Sequence, residues 1–202
     1  MDLGGSRRRN LLLALAAVAV AAAVVIGIVQ SPDGVQSTAS NPESAATEED
    51  FEAALADAPP ELAAIYDQGD ALIEGGVEAL ERQLAEIRGT PAVVNAWASW
   101  CGPCRFEFPH FQRAAMEHGT EVAFLGVDVE DAVEAAEGFL ERLPLPYPSF
   151  VDGDGEIRKV WKARSSLPIT AFYDSSGELV HLREGQYRSE EELEADIARY
   201  AR

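Results

Sequence analysis

The sequence predicts an α/β domain, a central mixed sheet with helices on both faces. Three observations predict it. From residue 76 onward, short runs rich in Val, Phe and Leu alternate with stretches of helical periodicity, the pattern of strand–helix units. An apolar run over residues 92–97, opened by Gly89-Thr90-Pro91, leads into a stretch where Pro103 suits the first turn of a helix. Towards the C-terminus, Asp174-Ser175-Ser176-Gly177 joins two more apolar runs as a hairpin signal, which makes the sheet mixed.

Taken in order, the elements follow from local pattern. Leu62, Ile65, Tyr66, Ala71 and Leu72 recur at helical spacing from Glu61 until Gly75-Gly76. Val77, Leu80, Leu84 and Ile87 mark a second helix that Gly89 ends. Residues 92–97 form a strand. A helix from about Pro103 to Glu117 follows, with Phe106, Phe111, Ala115 and Met116 as core candidates. Pro109 falls inside it and predicts a kink, because proline removes one intrahelical bond. A strand over 122–129 and a helix over 131–143 come next. Pro144, Pro146 and Pro148 stiffen the connection to a short strand, 149–151. Asp152-Gly153-Asp154-Gly155 resembles the start of a calcium loop, but Ala163 stands where the acidic ligand at loop position 12 belongs, so it reads as a turn. A short helix over 157–162 leads to strands 169–173 and 179–182. Ser189 to Glu192 resembles a capping box and opens a last helix to Tyr200.

The N-terminal third is of another kind. Residues 11–29 carry no charge, and at about 1.5 Å each they reach nearly 30 Å, enough to cross a bilayer core. Arg7, Arg8 and Arg9 precede them, which predicts a cytoplasmic N-terminus over residues 1–10 and an exported remainder. A cleaved signal peptide is the rival reading. It usually has a shorter apolar core and a small-x-small site, and Val25 to Val29 offers none, so an uncleaved anchor is favoured. Residues 30–60 are rich in Ser, Ala, Pro and acid and hold no Lys or Arg, the composition of a flexible tether. Phe51, Ala54, Leu55 and Ala58 hint at a helical turn or two near its end, and the folded domain is placed at 61–202. The 35 acidic residues against 16 basic ones, a net charge of −19, argue against nucleic acid as partner.

The only two cysteines are Cys101 and Cys104, at the junction of the 92–97 strand and its helix. A helix N-terminus stabilises a thiolate through its free N–H groups and dipole, and the thiolate is the species that attacks a disulfide. A metal half-site is the first alternative, but no third cysteine exists, and His110, His118 and His181 contain no His-x₃₋₅-His pair. A purely structural disulfide would close so short a loop that it constrains the unfolded chain little. Redox chemistry is the favoured reading, and no cofactor is implied.

The run Asn95-Ala-Trp-Ala-Ser-Trp-Cys-Gly-Pro-Cys104 resembles the thioredoxin superfamily. With Arg105-x-Glu107-x-Pro109 behind it, the chain is similar to the membrane-anchored, extracytoplasmic TlpA/ResA-like thiol–disulfide oxidoreductases, over roughly Gly76 to the C-terminus. The resemblance implies a thioredoxin-like fold in which the helix at 131–143 and its strand are an insertion. It implies that Cys101 attacks and Cys104 resolves, and that Pro168 is a cis-proline opposite the disulfide. It places Trp100, Gly102, Pro103 and Leu167 at the substrate-binding surface, with the backbone of Leu167 pairing an extended substrate. Gly102-Pro103 is the dipeptide of reducing thioredoxins. The implied partners are disulfide-bearing exported proteins and a thiol-type electron donor in the membrane; reduction of apocytochrome c before haem attachment is one common task of the branch. Asn95 departs from thioredoxin, which has a buried Asp there. Glu107, one helical turn after Cys104, is then either a surface acid or the carboxylate that tunes the cysteines. Trp97 reads as core and His110 as surface.

Overall fold

The computed structural model describes residues 46–202, so the expected N-terminal segment, the anchor at 11–29 and most of the tether lie outside them. No helix among the described residues is long and apolar enough to cross a membrane. Six strands make one sheet in the order β1-β4-β3-β2-β5-β6: β1 Leu72–Ile73, β2 Ala92–Trp97, β3 Ala123–Val129, β4 Ser149–Asp152, β5 Ile169–Tyr173 and β6 Leu179–Glu184. The first four in that order run parallel, and the β5–β6 hairpin is antiparallel to β2. β2 and β3 are buried along their whole length. This is why they read as continuous apolar runs rather than alternating ones.

Among the described residues seven helices surround the sheet: α1 Glu48–Leu55, α2 Pro60–Tyr66, α3 Gly76–Glu86, α4 Gly102–His118, α5 Val133–Leu140, α6 Glu156–Val160 and α7 Glu190–Tyr200. Trp97 of β2 meets Phe108 of α4 and Phe139 of α5, and Phe172 of β5 meets Tyr200 of α7, so these three helices close one face. On the other, α3 packs on β4 and α6, and Trp161, just after α6, donates to the Tyr173 hydroxyl at 2.7 Å. The strand that follows α5 enters the sheet between β1 and β3, as expected of an inserted helix–strand unit.

The described residues, those ahead of 61 included, form one compact unit, and three local expectations are corrected. Within it, Thr47 and Asp50 make a reciprocal capping box on α1, which buries Phe51 and Leu55. The helix that begins near Glu61 stops at Tyr66. Gly69 turns the chain with φ +52°, and Leu72–Ile73 becomes an edge strand paired to Ser149 and Phe150. Ser189 makes no side-chain cap on α7; Glu192 instead accepts from the Arg188 N–H at 3.3 Å and from Arg183 at 3.0 Å. Finally, Phe106 of α4 is exposed and Met116 half-buried, while Phe108 and Phe111 take the core positions. The Asp152–Gly155 segment is a turn, and the Asp152 carboxylate accepts from the N–H groups of Glu156 and Ile157 at the start of α6.

One glycine matters to the site. A Cβ on Gly126 would sit 2.0 Å from Ser149 Oγ and 3.1 Å from Trp97 Nε1. Only glycine lets the Trp97 indole lie across β3 and donate to Ser149 Oγ at 3.0 Å, which fixes the end of β2 from which the cysteine turn departs.

Candidate active site

β2 ends at Trp97, residues 98–101 turn, and α4 begins at Gly102. Cys101 is the N-cap residue of α4, in extended conformation, and its sulfur accepts from the Cys104 N–H at 3.2 Å. A sulfur in this position lies where the unpaired N–H groups of the first turn and the helix dipole act together. Cys101 and Cys104 are joined in a disulfide with Cα atoms 5.3 Å apart. Cys101 keeps 4 % of its surface and Cys104 none, so an approaching thiol or disulfide can reach only the first.

The surroundings of that sulfur are apolar and partly open. Trp100 is 59 % exposed and held at its far edge by an indole N–H bond to the Glu130 carbonyl at 3.1 Å. Phe106, 55 % exposed, lies one turn along α4 from Gly102 and Pro103, both of which are also exposed. The Leu167–Pro168 peptide is cis, and the Pro168 carbonyl accepts from Gly185 N–H at 2.9 Å. Ser99 anchors the turn: its N–H and hydroxyl both donate to the Asp131 carboxylate, at 2.5 and 3.0 Å.

Glu107 is not a surface acid. Its side chain is fully buried, with Asn95 Nδ2 donating to one oxygen at 2.9 Å and the Tyr187 N–H to the other at 2.8 Å. Burial pushes its carboxyl up to about 7, against the opposing pull of those two donors and of the Arg183 charge. Asn95 also donates to Thr170 Oγ1 at 3.3 Å. An amide carries both a donor and an acceptor end, so Asn95 can serve Glu107 in either protonation state. The Asn that replaces the thioredoxin Asp is thus the partner of a carboxyl supplied from α4. His110 is half-buried and takes a bond from Arg113 on Nδ1; burial first, then Arg113, hold its pKa below the usual value. It makes no bond to the cysteines.

Sequence reasoning had no view of Tyr187, Thr170, Ser99, Asp131 or Asp128. Asp128 alone left a signal, as an acid inside the apolar run 122–129. It is 1 % exposed, and burial first, then the neighbouring Asp131, push its carboxyl up to about 7.

The AhpC/TSA family model matches residues 72–182, more than half of the chain. The chain belongs to the AhpC/TSA family. Within it, the chain is similar to the thiol-disulfide oxidoreductase ResA of Oceanobacillus iheyensis, 29 % identical over 131 residues covering 60 % of this chain and 67 % of that protein. It is also similar to the thiol:disulfide interchange protein DsbE of Allochromatium vinosum, 34 % identical over 116 residues, 55 % of this chain and 62 % of the other, a little under two thirds of its length. Among solved structures, a secreted Mycobacterium tuberculosis disulfide oxidoreductase homologous to E. coli DsbE superposes with a TM-score of 0.50 at 26 % identity, over 57 % of this chain and 85 % of that one. A thioredoxin family protein of Chlorobium tepidum superposes with a TM-score of 0.52 at 20 % identity, over 57 % and 83 %, which shows the fold. The fold is thus thioredoxin-like, and the sequence is similar to ResA and DsbE thiol-disulfide oxidoreductases.

Proposed function

We propose that this AhpC/TSA protein is a thiol–disulfide oxidoreductase tethered to the membrane by residues 11–29, with its domain outside the cytoplasm, where it reduces disulfides of exported proteins. The observation that carries the chemistry is a cysteine sulfur capping the helix it begins, beside a second, fully covered sulfur and a buried carboxyl. In the reduced protein the Cys101 thiolate attacks one sulfur of a substrate disulfide. That S–S bond breaks, a mixed disulfide forms, and one substrate sulfur leaves as thiolate. The Cys104 thiolate then attacks Cys101 Sγ and expels the second substrate sulfur. Two electrons have passed to the substrate, and the protein holds the Cys101–Cys104 disulfide, the state described above. A thiol donor of the membrane returns it to the dithiol. Cys104 needs its proton removed on the way, and Glu107, with a pKa near 7, is suited to influence that step.

The substrate surface in this reading is the exposed Trp100, the Gly102-Pro103 turn and the backbone of Leu167, with Pro168 opposite the sulfurs. The direction of transfer rests on Gly102-Pro103: thioredoxin, with that dipeptide, has a potential near −270 mV, whereas the strong oxidant DsbA lies near −120 mV. The test is trapping with Cys104→Ser in cells, combined with equilibration of the wild type against a glutathione buffer. Mixed disulfides to exported proteins and a potential towards the thioredoxin end are expected. A potential near that of DsbA would make the protein an oxidase. Absence of any trapped partner together with no reduction of insulin would make the fold a docking module without redox turnover.

A further inference from the structure

The redox reading leaves Asp128 without a task. The β2–β3 register sets it opposite Trp97, just as Gly126 is opposite Asn95. Paired residues of neighbouring strands point to the same face of a sheet. Asp128 therefore points to the face that carries α4, at the end of the sheet from which the 98–101 turn leaves. Neither of its carboxyl oxygens meets a donor. The acidic neighbour that adds to burial in raising its pKa is Asp131, three residues on and just past the end of β3. Two carboxylates have no hydrogen to share; with one proton between them they form a bond. Asp131 already accepts from Ser99 N–H, Ser99 hydroxyl and the Ala132 N–H at 2.9 Å, whereas neither oxygen of Asp128 faces a donor, so Asp128 is the one placed to donate.

The other charges around Asp128 are occupied elsewhere. Glu130 pairs with Arg158 at 2.9 Å, and Asp152 on β4 caps α6. On β2 the facing residues are neutral Asn95 and Trp97. On α4, Glu107 is bonded to Asn95 and Tyr187, and the cysteines are joined. The inward residues of α5 are Ala136, Phe139 and Leu140. Among the described residues no cation bonds to Asp128.

We propose that Asp128 is a positioning residue for the attacking cysteine: neutral, it donates to Asp131 and so holds the Ser99 anchor of the turn that carries Trp100 and Cys101, and ionised, it repels Asp131 and releases that anchor. Burial of an anion beside an anion is what the released state relieves. The raised pKa of Asp128 puts the change in the neutral range. The step breaks only the Asp128 O–H bond and passes that proton to solvent water; no other covalent bond changes. The role as positioning residue rests on Cys101 being the attacking sulfur; the Asp128–Asp131–Ser99 link does not.

The experiment uses the full chain in detergent. Carboxyl carbon shifts of Asp128 and the amide shift of Ser99 are followed between pH 4.5 and 9, and the alkylation rate of Cys101 is followed in the reduced protein over the same range. In the wild type, Asp128 and Ser99 should share one midpoint near 7. The alkylation profile should depart from a single thiol ionisation by about threefold across that midpoint, equivalent to half a pKa unit. Asp128→Asn keeps a neutral donor to Asp131; it should hold the Ser99 amide at its low-pH position and return alkylation to one ionisation. A Ser99 amide that does not move, an Asp128 midpoint near 4, or an alkylation profile identical in wild type and D128N would overturn the proposal, and the first two need no variant. Loss of disulfide reduction with the shared midpoint and the alkylation step intact would count against the functional reading alone.

Discussion

Glu107 and Asp128 close the same face of the sheet, both cut off from water and both pushed by burial to about 7, yet they are held in opposite ways. Glu107 has a donor on each oxygen, one from β2 and one from the backbone ahead of α7. Asp128 has none, and its neighbour is another acid. The first is built to be tolerated in either charge state; the second is satisfied in only one. A buried carboxyl on the face that carries α4 can therefore tune the cysteines by its charge, or steady the turn before them by its proton, and the hydrogen-bond partners tell which.

The largest expected difference is in stability. Glu107→Ala leaves the Tyr187 N–H and part of the Asn95 amide without acceptors inside the core, each costing about 1–3 kcal/mol, so a loss of roughly 2–6 kcal/mol is expected in urea unfolding at pH 7. Asp128→Asn removes no satisfied bond and should be neutral or stabilising at pH 8. Equal losses for the two would erase the contrast.

The pH dependence of stability follows next. Both carboxyls have folded pKa values raised above the ordinary value near 4, so between about 4 and 7 the folded state binds more protons than the unfolded one. Their contribution is therefore greatest below 4, falls as the pH rises to about 7, and is level beyond. Urea midpoints of the wild type should include a decline from pH 5 to pH 8 that Asp128→Asn reduces. An unchanged decline in the variant would mean that Asp128 is ionised throughout.

A smaller effect is expected one bond further out. Ser99→Ala removes the hydroxyl donor to Asp131 but keeps the N–H bond. The loss should be about 0.5–1.5 kcal/mol, with Trp100 fluorescence reporting a looser turn. A variant as stable as wild type with unchanged Trp100 emission would show that the N–H bond alone fixes the anchor.

Much of this was legible in the sequence because burial and chemistry coincide along one stretch. Strand β2 reads as strand from its apolar content, and Pro103 marks the start of α4, so the position of Cys101 at the helix N-terminus needed no tertiary information. For Phe106 the signal against a core position is present in the sequence: Cys104, Phe108, Phe111 and Ala115 define the buried stripe, and 106 falls out of phase with it. Strand β1 was hidden because Ala71 and Leu72 continue a helical spacing that only the pairing with β4 overrides. The box Thr47-x-x-Asp50 announced α1, but the acid-rich composition around it suggested a tether. The site's polar connections were out of reach for a different reason. Asn95 and Glu107, Glu107 and Tyr187, and Asp131 and Ser99 meet through the fold, with nothing in local spacing to link them.

The role proposed for the Glu107 carboxyl is to set the reactivity of the cysteine pair through its charge. The direct measurement is the reduction potential of wild type and Glu107→Gln at pH 7.5, by equilibration with glutathione, alongside the thiol pKa values of both. A negative charge nearby disfavours a thiolate, so its removal should lower at least one thiol pKa by about half a unit to one unit. At about 1.4 kcal/mol per unit, and about 30 mV per 1.4 kcal/mol for a two-electron couple, the potential should rise by roughly 15–30 mV. A potential that stays put or falls, with neither thiol pKa lowered, would contradict the account and leave Glu107 as a buried brace between β2 and Tyr187.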